Sequence, residues 1–285
     1  KKIIYYILIL PLILCISGCL DENPRDQFDQ DAIYDNASNI YNNAVASLYN
    51  YFGGHQNSEG LQGTCRGLYD YNTLTSDEAM IPTRGGDWYD GGLWKNLYQH
   101  KWSANDIYLY DIWKYLYKVI MLSNKSLADI ESHKGALSYD QYKCFTAEVR
   151  AIRALYYWYA MDMFGNIPLV TSYNVKLEQV VQNKRSEVFQ FIVDELQQAA
   201  PLLADARSNK AGDYYGRITR PVVHFLLAKL ALNAEIYSDD NWTDGKQMDG
   251  RTIFFDVNGV KKNAWETCIW YCDQLNSVGY TLESD

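Results

Sequence analysis

The residues with the most chemical potential lie in one short run, Arg84-Gly85-Gly86-Asp87-Trp88-Tyr89-Asp90-Gly91-Gly92-Leu93-Trp94. Glycine pairs there bracket two carboxylates and two adjacent rings. Such a set suits the recognition of a sugar, which has an apolar C–H face on which Trp and Tyr stack. Its equator of hydroxyls takes hydrogen bonds from Asp, Asn and Arg. The run supplies all of these but the Asn. The alternative is that Trp88 and Trp94 plug the segment onto the rest of the fold while the acids face water.

Patterns for covalent chemistry are missing. Asp77, Glu78, Asp87 and Asp90 could nominally provide the two carboxylates of a glycoside hydrolase, but with 35 acids in the chain the choice is unconstrained. There is no G-x-S-x-G elbow, no Cys and His pair in a persuasive context, no phosphate-binding or dinucleotide glycine pattern, and no H-E-x-x-H. His55, His100, His133 and His224 are scattered. Cys65, Cys144, Cys268 and Cys272 are too few for a disulfide scaffold and read as buried thiols. Cys268 and Cys272 stand at i, i+4, a metal spacing only if further ligands converge. No metal, cofactor or enzymatic activity is expected.

Lys and Arg number 26 against 35 Asp and Glu, a net charge of −9, which repels phosphate backbones and argues against nucleic acid as a partner. The hydrophobic share of 48% is enough to bury a core. Aromatic residues reach 15%, with 25 tyrosines, a surplus that suits stacking surfaces.

The elements that must position the run are helices. From Asp106, apolar residues recur at three and four: Leu109, Ile112, Leu116, Val119, Ser123, Leu127 and Ile130 form one stripe. A capping box of Ser138 and Gln141 opens the next helix. Its stripe is Phe145, Val149, Ile152, Tyr156, Tyr159 and Met163, and Gly165 with Pro168 stops it. Phe189 to Leu203 and Val223 to Tyr237 make a second pair. A last helix spans 264–277, and Gly279-Tyr280-Thr281-Leu282 reads as the start of an extended segment. The spacing approximates the tetratricopeptide period imperfectly. Residues 53–105, which hold nine of the 18 glycines, read as an irregular insertion rather than helix.

Lys1 and Lys2, the apolar run 3–16 and Ser17-Gly18-Cys19 form an export signal. The run is too short to span a bilayer. Ile16-Ser17-Gly18-Cys19 looks like a bacterial lipobox, which makes Cys19 the lipidated residue after a signal peptide over 1–18. Residues 19–30 read as a tether and 31–285 as the helical domain. Removing 1–18 takes away two lysines and no acid, so lipid rather than charge must hold the protein to a membrane.

The stretch Ala147-Glu148-Val149-Arg150-Ala151-Ile152-Arg153-Ala154-Leu155-Tyr156-Tyr157-Trp158-Tyr159, continuing Asp162-Met163-Phe164-Gly165-Asn166-Ile167-Pro168-Leu169, resembles the signature of the SusD/RagB family of outer-membrane lipoproteins. The lipobox, Leu74-Thr75-Ser76-Asp77-Glu78, the Asp87-Trp88 loop, Arg185-Ser186-Glu187-Val188-Phe189 and Gly216-Arg217-Ile218-Thr219-Arg220 follow in the family's order. The resemblance implies an all-α fold of tetratricopeptide-like helical pairs carrying the Gly- and aromatic-rich insertion. It also implies a cell-surface, lipid-anchored protein of the outer membrane that binds oligosaccharide or polysaccharide and sits as a lid on a TonB-dependent transporter. By the same resemblance Trp88 is the stacking platform, Asp87 and Tyr89 flank it, and Arg84 and Trp94 stand near it. Arg150 and Arg153, at i, i+3, read as structural, pairing with acids between helices. With no closing element after the last helix, the chain reads as the N-terminal portion of a longer protein. The rival reading is a tetratricopeptide-like scaffold that binds a protein or peptide.

Overall fold

Apolar residues at helical spacing wind into helices in the computed structural model, which describes residues 33–53, 59–62 and 66–282. The export signal, Cys19, the tether to residue 30 and Cys65 lie outside the described residues. From Tyr34 the chain forms one compact unit. It begins with α1 (Ala37–Ile40), passes through a stretch, Tyr41–Ala46, wound with i→i+5 hydrogen bonds, and continues as α2 (Ser47–Gly53). Two short helices follow, α3 (Leu68–Leu74) and α4 (Leu93–Tyr98). Then come α5 (Ile107–Ser132), α6 (Tyr139–Phe164), α7 (Arg185–Ala199), α8 (Arg220–Leu232), the single turn α9 (Ala234–Tyr237) and α10 (Ala264–Ser277).

The caps explain the boundaries. Asp106 accepts the N–H groups of Tyr108 and Leu109 and starts α5. Ser138 and Gln141 form the expected capping box on α6, and Gly165 ends that helix at φ 71°. Asn263 and Glu266 form another box on α10. At the far end of α10 Gly279 stands at φ 86°. Its N–H reaches the Asn276 carbonyl while the Tyr280 N–H reaches that of Leu275, so 279–280 is a helix stop rather than the start of a strand.

Helix α6 is the centre. Every residue from Ala147 to Leu155 except Arg150 is buried, as are Tyr156 and Tyr157, which is why its stripe looks broad in the sequence. Helix α5 covers one side with Ile112, Leu116, Val119 and Ile120, and α7 covers another with Val188, Ile192 and Leu196. Helix α7 lies against α8 as well as α6, and the more extensive partner of α8 is α10. Strands are few: β1 (Ile167–Pro168) pairs antiparallel with β2 (Gln182–Asn183), and β3 (Phe254–Val257) with β4 (Val260–Asn263). The second pair is a hairpin turned by Asn258-Gly259, both at positive φ, a signal present in the sequence though absent from the helical expectation.

The insertion departs from expectation in one respect, because it is not loop throughout. Leu68, Tyr71 and Leu74 bury one face of α3, and Leu93, Trp94 and Leu97 one face of α4. Those spacings are helical, but glycines on both sides obscure them in so short a run.

Two buried carboxylates lock the scaffold. Glu148, fully buried on α6, accepts the Tyr49 hydroxyl at 2.5 Å, the Tyr41 hydroxyl at 3.3 Å and two guanidinium nitrogens of Arg217 at 2.6 and 3.1 Å. Glu195 on α7 accepts Arg150 and Arg153 from α6, each at 2.6 Å. Arg153 also donates to Asn124 of α5 at 2.7 Å. The two arginines therefore hold helix to helix, as their spacing suggested.

Candidate functional site

The run from Arg84 to Trp94 begins with a tight turn. Arg84 and Asp87 exchange both backbone hydrogen bonds, at 3.0 and 3.1 Å, across Gly85-Gly86, with Gly85 at φ 60°. The chain then enters a left-handed stretch that includes Trp88 at φ 61°, Asp90 at 41°, Gly91 at 65° and Gly92 at 88°. For glycine this backbone costs little, but for a tryptophan it is a strained conformation that persists only where the surroundings enforce it.

The Asp90 carboxylate ties this segment to its neighbours. One oxygen accepts the Trp94 indole N–H at 2.5 Å and the other accepts the Arg66 guanidinium at 2.9 Å. That guanidinium also lies over the rings of Trp94 and Tyr108, 5.8 and 5.6 Å from their centroids. Trp94 is only 3% exposed and acts as the plug. Trp88 packs edge-on against it, with centroids 6.3 Å apart, and remains 57% exposed; Tyr89 is 60% exposed. Arg84 and Asp87 are exposed beside them.

Of the five residues singled out in the sequence, the fold thus brings Arg84, Asp87, Trp88 and Tyr89 to the surface as one short segment. It withdraws Trp94 into the packing beneath, where its indole cannot meet a ligand. Asp90, named only as a nominal carboxylate, is an anchor.

A second feature was not legible. Between α3, the segment 102–104, the first turns of α5 and the end of α6 lies an open cleft of about 770 Å³. Trp102 and Tyr110, 45% and 59% exposed, face water, while Trp113 meets Phe164 edge to face at 5.0 Å. The Tyr71 hydroxyl donates to the Asp106 carboxylate at 2.9 Å, joining α3 to the cap of α5 and fixing the cleft's walls. That phenol is pushed well above its usual pKa by burial and then by Asp106, so it stays a donor. The available signal was Tyr110, an aromatic residue off the apolar stripe of α5, together with a tryptophan in a loop. Neither decides between packing and binding without the fold.

Similarity to known proteins bears on the family of the chain. A family model described as "Starch-binding associating with outer membrane" matches residues 66–232, more than half of the chain. A SusD-like protein of Bacteroides ovatus is 25% identical over 241 residues, 82% of this chain and 38% of the relative. The starch-binding protein SusD of Bacteroides thetaiotaomicron is 26% identical over 188 residues, 63% of this chain and 30% of that protein. Among solved structures, a SusD homologue from Bacteroides thetaiotaomicron has a TM-score of 0.61 at 19% identity, covering 86% of this chain and 41% of the other. A laminarin-binding SusD-like protein has a TM-score of 0.58 at 24% identity, covering 75% and 45%. The chain therefore spans less than half the length of these relatives. Among the described residues no helix is long and apolar enough to cross a membrane. A family match over more than half of the sequence, on a scaffold of the same fold, places the chain in the SusD-like family.

Proposed function

We propose that this chain is the part of a cell-surface glycan-binding lipoprotein that carries one wall of its binding site, with Trp88 as stacking platform and Tyr89, Asp87 and Arg84 as its neighbours. The observation that carries the reading is the strained backbone at Trp88. A large ring is held more than half exposed, in a conformation that costs free energy, by a clamp of Asp90, Arg66 and Trp94. Folding alone gains nothing from such exposure, whereas a sugar face gains a prepositioned ring. The cleft beside Trp102 and Tyr110 offers further rings for the same ligand class.

In this reading Cys19 carries the lipid that holds the protein at the outer membrane. The glycan, an oligosaccharide or polysaccharide, passes to a TonB-dependent transporter on which the protein sits as a lid. Open surfaces with few ordered contacts give micromolar to millimolar dissociation constants, about −8 to −4 kcal/mol, which suits release into a transporter. The relatives' names, one starch-binding and one laminarin-binding, support a glycan as ligand class.

The test is affinity electrophoresis of the signal-free protein through gels containing neutral polysaccharides, alongside Trp88→Ala. Retardation by at least one glycan, weakened in the variant at unchanged circular dichroism, is the expected result. No retardation of the wild type in any gel would favour the scaffold reading, and equal retardation of the two proteins would remove Trp88 from the site.

A further inference from the structure

A second pocket lies away from the insertion, where α7, the start of α8, the β3–β4 turn and α10 meet, with a volume of about 520 Å³. One wall is aromatic. His224 stands 6.1 Å from Trp270 and 5.3 Å from Tyr271, centroid to centroid, and Trp270 is half-buried at the pocket's edge. The lining also carries planar amides, Gln197 from α7, Asn258 from the hairpin turn and Gln274 from α10.

Hydrogen bonding leaves much of that lining unused. The Gln197 amide donates to the Asp256 carbonyl at 2.7 Å and to the Tyr271 hydroxyl at 3.4 Å, so its own carbonyl oxygen keeps its acceptor capacity. The side-chain amides of Asn258 and Gln274 have no partner among the described residues. A hairpin turn fixes the backbone of the first and a helix that of the second, so only their side chains must be ordered on binding.

Charge selects the ligand. Arg220 lines the pocket but is committed: its guanidinium donates to the carbonyls of Ala200 and Leu203 at 3.0 and 3.1 Å and pairs with Asp205 at 3.3 Å. His224 is held below the usual imidazole pKa by burial and then by Arg220, so it presents a neutral ring near neutrality. Asp194 and Asp256 are the remaining charged groups, and they disfavour an anion. Asp194 is engaged by Gln190 and Asp256 by the Gly259 N–H. Rings set among amides and two acceptor carboxylates fit a neutral polyol with an apolar face.

We propose that this pocket binds a neutral hexose unit of a glycan, independently of the Trp88 loop. The two sites share no residue and stand on different elements, so one chain could hold a polysaccharide at two points. Simultaneous engagement raises the apparent affinity for long chains without tightening either site.

The experiment is ¹⁹F NMR of protein labelled with 5-fluorotryptophan, with the Trp88 and Trp270 signals assigned by substitution. The probes are gluco-, manno- and galacto-configured neutral oligosaccharides at millimolar concentration, with oligogalacturonate as the anionic control. In Trp88→Ala the Trp270 signal is expected to shift saturably with at least one neutral probe and not with the anionic one. Gln274→Ala, a change on an accessible helix face that leaves packing intact, is expected to weaken that shift about tenfold. A Trp270 signal unmoved by all three neutral probes in the folded wild type overturns the proposal. So does a Trp270 shift that vanishes in Trp88→Ala, which would mean a single site. If Trp88 is silent but Trp270 responds, the loop reading fails and this one stands.

Discussion

Asp90 does more at the residue scale than its exposed position suggests, because its two oxygens hold the cation, Arg66, and the plug, Trp94, against which Trp88 packs edge-on. Asp90→Ala leaves the buried Trp94 indole N–H without its acceptor. That should cost about 1–3 kcal/mol, read as a lower melting temperature, and weaken glycan retardation as much as Trp88→Ala does. Trp94→Ala should destabilise by about 3–5 kcal/mol, because it empties a buried site. Trp88→Ala should leave the melting temperature nearly unchanged, since that ring is mostly in water. The contrast between two tryptophans six residues apart separates plug from platform. Sequence alone left both roles open for both residues, since nothing in the residue types says which indole turns inward.

Among the elements, α6 is held by carboxylates buried at its two faces, and these make stability depend on pH and on charge pairing. Burial alone would raise the Glu195 carboxyl, but Arg150 and Arg153 overcome it and hold the group below the ordinary carboxylate range. A depressed folded-state pKa means stability that is fully present above the unfolded value and is lost as pH falls through the folded one. The lowered His224 acts in the same direction, losing stability as pH falls below the ordinary imidazole range. Urea midpoints should therefore drop from pH 7 to pH 3, the Glu195 part of the drop falling below the ordinary carboxylate value, and Glu195→Gln should show a shallower drop there from a lower starting point. Glu148→Ala should cost about 3–5 kcal/mol, because it strands the Arg217 guanidinium beside two half-buried tyrosines. At this scale the sequence was most readable. The long helices declare themselves by period and caps, and Arg150 and Arg153 by their i, i+3 spacing. The short helices α3 and α4 and the Asn258-Gly259 hairpin were not foreseen, since a seven-residue helix offers too few turns for a period and the hairpin hides between helices.

For the whole molecule, the chain belongs to the SusD-like family yet spans less than half the length of the relatives described above. Its own contribution is then a helical scaffold that presents an aromatic loop and, separately, an open cleft. Anchoring belongs to this scale as well: Cys19→Ala is expected to move the protein from the membrane fraction to the soluble periplasmic or secreted fraction, whereas retention in the membrane would remove the lipid anchor from the account. The fold was legible because burial imposes a period on every long helix. The ligand was not, because an exposed ring leaves no pattern in a sequence, and its exposure is known only once its neighbours are packed. The measurement that tests the central claim most directly is intrinsic tryptophan fluorescence of the signal-free protein titrated with a panel of soluble neutral polysaccharides, wild type against Trp88→Ala. The account predicts a saturable change with one glycan class that the substitution diminishes, leaving only the response of the Trp270 pocket. An identical response in the two proteins, or none from either while both remain folded, would contradict it.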